Sequence, residues 1–257
     1  MSSKFLVASA ALLAAVSAQA TVSVGSASFT YGQTFDSLAS TGSTAIVNDV
    51  TLPGWSLFRA TGTSLAATAG TGSSNAGGFY SFGAAASTDR ALGSLASGST
   101  GTMNYALALT NNTGNALNSF TLRYDGEQWR NGGVAAVHSL TVQYGFGATY
   151  AAVTNWTNAG AGFDFASPVT STTAAAVDGN VAGKVASLGG TIATNWAATD
   201  TLWVRWTDID NTGSDHGLAI DNVSLSVTAA AVPEPSSYAL LLAGIGAIGF
   251  LARRRRA

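Results

Sequence analysis

Gly126-Glu127-Gln128-Trp129-Arg130 follows a strand pattern and packs an acid, a carboxamide, an aromatic ring and a guanidinium into one turn. A sugar site needs planar polar groups beside an aromatic face. Trp129 can stack on a pyranose while Glu127, Gln128 and Arg130 hold its hydroxyls, so these four are the candidate ligand-binding residues. The same side chains have a plainer arrangement, an ion pair between Glu127 and Arg130 with Trp129 covering the edge of the core. Trp203 alternates out of phase with Leu202, Val204 and Trp206 and is a second candidate for an exposed aromatic.

A second concentration is acidic: Asp208, Asp210, Asp215 and Asp221. Calcium is a hard cation that takes several oxygen ligands, which clustered carboxylates and loop carbonyls supply. These four are therefore candidate calcium ligands. Asp208-Ile209-Asp210-Asn211-Thr212-Gly213 lacks the downstream bidentate glutamate of an EF-hand, and a polar turn with a capping aspartate would use the same residues. No cofactor is required by the sequence; a structural Ca2+ is the one candidate.

Catalysis is poorly supplied. Glycoside hydrolysis commonly uses two carboxyl groups, and Glu127 is the only glutamate before residue 234, so any partner must be an aspartate that no spacing nominates. His138 and His216 lie far apart in the chain. There is no cysteine, no Gly-x-Ser-x-Gly elbow, no glycine-rich phosphate loop and no His-based zinc spacing. The expectation is a non-catalytic protein, with a secreted polysaccharide- or ester-active hydrolase as the enzymatic alternative.

Strands must position these residues. Met103, Tyr105, Leu107 and Leu109 alternate with smaller or more polar residues, as do Phe120, Leu122 and Tyr124, then Leu140, Val142 and Tyr144. Leu202, Val204 and Trp206, and later Val223, Leu225 and Val227, repeat the pattern. Each reads as a strand with one buried face. Turn clusters at Asn111–Asn115, Arg130–Gly133 and Asp210–Gly213 separate them. Short strands punctuated this way predict an all-β sandwich or barrel. Thr61–Gly78 and Ala84–Thr102 read as long loops around a strand at Gly78–Phe82, and Ala174–Leu188 is the one weak helical candidate. Six Trp, seven Tyr and eleven Phe argue for a folded body despite thirty glycines.

Both ends read as targeting segments. Residues 1–20 carry Lys4, an apolar stretch from Phe5 to Val16 and a small-residue cleavage site at Ala18-Gln19-Ala20. That is a Sec-type signal peptide, to be cut by signal peptidase after passage through the Sec translocon. Residues 232–257 hold Val232-Pro233-Glu234-Pro235-Ser236, an uncharged apolar run over 237–252, and Arg253, Arg254, Arg255 and Arg256. The prolines keep the approach extended, the run reads as a transmembrane helix, and the arginines hold its end in the cytoplasm. At about 1.5 Å per residue the helix spans roughly 24 Å, short of the roughly 30 Å hydrocarbon core.

In this order the tail resembles a PEP-CTERM sorting signal. That resemblance implies recognition by exosortase, an integral-membrane cysteine protease, with cutting near Pro233–Pro235. Transient anchoring in the inner membrane would precede transfer to the cell surface or extracellular polysaccharide. Between the two ends, residues 21–231 make one domain. Setting aside Lys4 and Arg253–Arg256 leaves six of the 11 basic residues, and setting aside Glu234 leaves 12 of the 13 acids, so this domain carries a charge near −6. Nucleic acid is excluded as a partner, since it asks for a basic footprint.

Leu202–Asp210 and Asp215–Leu225 resemble the closing strands of jelly-roll modules in secreted bacterial proteins, and Phe35-Asp36-Ser37-Leu38 with Leu52-Pro53-Gly54-Trp55 is similar to their opening. The resemblance implies a single jelly-roll-like β-sandwich, in some relatives with a calcium held by an acid near the last strand. Such modules serve structural, adhesive or lectin-like roles, so the expected function is a surface or matrix protein, with carbohydrate binding as the alternative.

Overall fold

The computed structural model describes residues 21–228, together with 244 and 245. The signal peptide at 1–20 and the sorting segment at 232–257, apart from 244 and 245, lie outside the described residues. Among the described residues no helix is long and apolar enough to cross a membrane.

The body is all β. The strands are β1 (Val22–Val24), β2 (Ser28–Gln33), β3 (Ser43–Ala45), β4 (Trp55–Arg59), β5 (Ala66–Gly70), β6 (Gly78–Phe82), β7 (Ala91–Leu95) and β8 (Met103–Asn111). They continue with β9 (Leu117–Asn131), β10 (Ser139–Phe146), β11 (Thr157–Asn158), β12 (Phe165–Ala166), β13 (Ala175–Ala176), β14 (Lys184–Trp196), β15 (Thr201–Asp208) and β16 (Gly217–Thr228). A 3-10 turn at Tyr150–Ala152 interrupts them.

Two sheets result. The smaller runs β1-β8-β15-β10-β11, with β4 on β8 and β12 on β10; the larger runs β13-β9-β16-β7-β6-β5-β3, with β14 on β9 and β2 on β16. From β7 through β10 the chain changes sheet at every long strand, and β14, β15 and β16 do so again. The late strands β15 and β16 are consequently inserted between earlier ones, β15 between β8 and β10 and β16 between β9 and β7. The two sheets face each other as a sandwich across one aromatic-rich core.

Period-two alternation decides which residues enter that core. Leu202, Val204 and Trp206 of β15 meet Tyr105, Leu107 and Leu109 of β8 on one side of it, and Phe120, Leu122 and Tyr124 of β9 with Val223 and Leu225 of β16 on the other. Trp206 stacks on Trp55 at 5.5 Å within its own sheet and meets Tyr124 of the opposite sheet edge-on at 5.5 Å. Edge and stacked contacts of this kind add to the area each ring buries. The Tyr124 hydroxyl donates to the Phe163 carbonyl.

Three expectations need correcting. The two presumed loops contain β5 and β7, whose Ala, Gly, Ser and Thr residues show no apolar contrast; every residue of β7 is nevertheless buried. Ala174–Leu188 is not helical: it forms β13, a turn in which the Gly183 N–H bonds the Asp178 carbonyl at 2.8 Å, and the start of β14. Gly126–Arg130 is not a turn after a strand but the interior of β9.

Candidate functional site

Because Gly126–Arg130 lies in a strand, its side chains divide instead of converging. Glu127 and Trp129 share the outward face of the larger sheet, where Trp129 Nε1 donates to Glu127 Oε2 at 2.9 Å. Gln128 turns away and pins the segment beyond β12, accepting from the Val169 N–H at 2.8 Å and donating to its carbonyl at 2.8 Å. Arg130 donates to the carbonyls of Gly72 and Ser73, each at 3.1 Å, and makes no ion pair with Glu127.

Trp129 is only 2 % exposed, so it offers no open platform. Phe82 stacks parallel to it at 6.1 Å, and Tyr80 stacks on Phe82 at 4.7 Å. Two glycines let loops close over it. A Cβ at Gly179 would lie 2.3 Å from the indole Cε2, and one at Gly72 would lie 1.7 Å from the Trp129 carbonyl oxygen. Side chains larger than hydrogen would lift this roof.

Under the roof lies an acidic group. Glu127 is buried, and that burial, reinforced by Asp221 against the relief from Trp129, pushes its carboxyl up to about 8. Asp221, also buried, is pushed up to about 7 by desolvation. Neither Glu127 Oε1 nor Asp221 Oδ1 has a hydrogen-bond partner. Lys184 lies 2.8 Å from Asp125 Oδ2 and 4.0 Å from Glu127 Oε1. Burial opposes ionisation of Asp125, yet hydrogen bonds from Lys184, the Ser187 N–H and Asn222 hold it below its ordinary value. The lysine is thus committed to Asp125, leaving the other two acids biased toward the neutral form.

The candidate calcium ligands are divided as well. Asp221 belongs to the group just described, opposite Asp125 in the β9–β16 register. Asp208, Asp210 and Asp215 come together at one end of the sandwich, beside a cavity of about 320 Å³ lined by Asn75, Ser97, Arg130, Asp210, Ser214 and Asp215. Asp208 is fully buried and accepts from Ser94 Oγ at 2.6 Å; desolvation and the neighbouring aspartates push it up to about 7. Asp215 accepts from the Asn211 N–H at 2.9 Å and is pushed up to about 6, chiefly by burial. Among the described residues no three His, Asp or Glu side chains are disposed to hold a metal ion.

The two histidines, distant in sequence, stack at 4.4 Å behind this cavity. His138 Nδ1 is 3.4 Å from Asp215 Oδ1, an ion-pair distance, but burial lowers the His138 pKa while raising that of Asp215. The His216 N–H also donates to His138 Nδ1 at 3.3 Å, which requires a lone pair there. The imidazole is therefore the neutral partner, and the contact is not an ion pair. His216 accepts from the Gly132 N–H at 2.8 Å, lies 3.2 Å from the Ala136 carbonyl, and is pushed down to about 4 by burial and by His138. These bonds tie loops together and leave neither ring poised beside a hydroxyl nucleophile.

The outward face of the smaller sheet is crossed by the segment that carries Tyr150, Val153 and Trp156, which buries Ala106, Ala108 and Trp203 and leaves a half-buried ring cluster at the surface. Trp203 is the residue by which the sequence pointed to it. Trp203 does point out of the core there, as its phase requires, but at 1 % exposure it forms the floor, donating from Nε1 to the Gly147 carbonyl at 3.0 Å. Tyr150 stands edge-on to Trp203 at 5.7 Å and stacks on Phe58 at 3.7 Å, with Trp156 5.2 Å away. Phe58, Tyr150 and Trp156 are all half-buried. Arg205 lies over the Trp156 ring at 4.0 Å and within reach of Tyr150. Gln143 Oε1 accepts from its Nε at 2.9 Å and its Nη2 at 2.6 Å, and the Tyr150 hydroxyl accepts from Nη1 at 3.0 Å. Beside the outward phase of Trp203, the available signal was Arg205, the one charged residue on the outward phase of β15.

Comparison with known proteins identifies the tail. Residues 231–256 match the PEP-CTERM protein-sorting motif. No curated protein matches the chain. Among solved structures, the CBM22-1 xylan-binding domain from Paenibacillus barcinonensis Xyn10C is similar at 12 % identity with a TM-score of 0.36, over 80 % of this chain and 100 % of that one. A carbohydrate-binding module of the β-sandwich superfamily is similar at 12 % identity with a TM-score of 0.25, over 72 % of this chain and 62 % of that one. Neither likeness is close enough to assign a property to this chain.

Proposed function

We propose that this is an exported, exosortase-sorted surface protein whose jelly-roll-like body has a structural or adhesive, non-catalytic role in the extracellular polysaccharide matrix. The observation that carries the reading is the placement of the sorting motif. Its first residue is 231, and the last core strand, β16, ends at Thr228. The folded body is therefore joined to the motif almost directly. In this reading Sec export and cleavage after Ala20 release the body outside, the helix at 237–252 holds it briefly in the inner membrane, and exosortase cuts near Pro233–Pro235.

The test uses the full chain in cells with active exosortase. Surface protease should reach the wild-type body, while replacing Pro233, Glu234 and Pro235 together by Ala should leave it in the membrane fraction. Recovery of the body from the cytosol would overturn the reading.

A second reading, a lectin-like module, is favoured by one observation: the half-buried ring cluster of Phe58, Tyr150 and Trp156 on the outward side of the smaller sheet. Aromatic rings with adjacent polar groups are the general means of holding a sugar. Retention of the full chain on insoluble polysaccharide, lost on Trp156→Ala, would support it.

A further inference from the structure

We propose that the outward face of the smaller sheet binds acidic polysaccharide, with Arg205 receiving the carboxylate of a uronate residue and Trp156 flanking the sugar. This rests on the lectin-like reading and adds the chemical class of its ligand.

The described body carries six cations. Lys184 is paired with Asp125. Arg59 donates to the carbonyls of Thr61, Ser64 and Ser99, Arg123 to those of Ser187 and Gly189, and Arg130 to those of Gly72 and Ser73. Arg90 is buried against Ser81. Each of these five ties strands or loops together.

Arg205 differs in three ways. It is held entirely by side chains, Gln143 and Tyr150. It is the one cation of the described body that lies over aromatic rings. Its Nε and Nη2 edge, which a carboxylate would bridge with two oxygens, is instead given to the single oxygen of the neutral carboxamide of Gln143. Among the described residues no carboxylate comes within 4.0 Å of it.

A guanidinium has five donors, and the bonds to Gln143 and Tyr150 use three, so two remain for a ligand. Tyr150, Trp156 and Gln143 fix its orientation, so little side-chain entropy is lost on binding. Gln143 is itself fixed, since its Nε2 donates to Asn158 Oδ1 at 2.8 Å. The surrounding body carries a charge near −6 and repels a polyanion over the rest of its surface, so an acidic chain has this one cation to hold it. An uncompensated, oriented cation beside half-buried rings matches a sugar that carries a planar carboxylate.

The test is affinity electrophoresis of the full chain in non-ionic detergent, through gels containing polygalacturonate, its methyl ester or dextran sulfate. Retardation by the free acid should be at least tenfold stronger than by the ester and should weaken with salt. Arg205→Met should abolish the difference. Gln143→Glu gives Arg205 an internal carboxylate and should lower retardation by the free acid about tenfold, with the melting temperature unchanged or raised. Equal retardation by acid and ester, both lost on Trp156→Ala, would overturn the uronate inference and leave the lectin reading standing. No retardation by either would overturn both, while surface delivery is read separately. Equal or stronger retardation by dextran sulfate would overturn the assignment to a carboxylate.

Discussion

Trp129 on the larger sheet and Trp156 on the smaller are both rings on outward faces, each beside a side chain capable of charge, yet they have opposite fates. Trp129 is roofed by the loops carrying Gly72 and Gly179, and its acid, Glu127, is driven toward the neutral form. Trp156 is left half-buried under an arginine with two unused donors. What separates them is the covering loops, not the strands. A β-sandwich thus has two outer surfaces on which recognition can be built, and how closely the crossing loops approach each one decides how much of it is spent on stability.

The contrast breaks most simply at the two rings. Trp129→Ala should cost about 3–5 kcal/mol, because the loops cannot collapse fully into the space left. For a body of this size that is on the order of a 10 °C fall in melting temperature. Trp156→Ala should cost about 1 kcal/mol or less, its effect appearing in polysaccharide retention instead. Equal losses in calorimetry would mean that the open face is as structural as the closed one.

The strands that frame both faces were legible because each has one apolar side. Leu202, Val204 and Trp206, or Leu140 and Val142, announce themselves by alternation, since a one-residue slip would put every one of them in water. β5 and β7 were not legible: Ala, Gly, Ser and Thr bury as easily as they expose, so Ala91–Leu95 carries no phase. The site was harder still. The composition of Glu127–Arg130 was a fair signal for recognition, but the burial of Trp129 is imposed by residues some fifty positions away on either side, near 72 and 179. The real opening, around Tyr150, Trp156 and Arg205, is assembled from β10, β15 and the loop between β10 and β11, with no local run to mark it.

The roofed acids give the next, smaller effect. Glu127 titrates near 8 in the folded chain against an ordinary 4.5, so between those values the folded state keeps a proton that the unfolded state releases. Its contribution is therefore full below 4.5 and is lost as pH rises through about 8. Asp221 acts in the same direction between 3.8 and about 7. His216, lowered from 6.5 to about 4, acts oppositely: its contribution is present above 6.5 and lost as pH falls through about 4. With two acids acting against one histidine, the melting temperature should be highest near pH 4 and decline from there through about pH 8. Glu127→Gln should flatten that decline by a few degrees in scans from about pH 5 to about pH 9. An undiminished decline would move its cause away from the closed face.

The smallest effect concerns the acids at the end of the sandwich. Four aspartates in one stretch of sequence suggested a calcium ion, but the fold sends Asp221 to the closed face with Glu127. Of the remaining three, Asp208 is spent on Ser94 and Asp215 on Asn211. An ion bound only by the folded chain must raise its stability in proportion to the logarithm of its concentration over its dissociation constant. Because Asp208 and Asp215 are already hydrogen-bonded and burial disfavours their charged forms, chelator should leave the melting midpoint within about 1 °C of its value in calcium. A calcium-dependent rise that survives Asp221→Asn and disappears in Asp210→Asn would instead mean that the β15–β16 loop closes on an ion. The end cavity, rather than the open sheet face, would then be the molecule's most ligand-sensitive region.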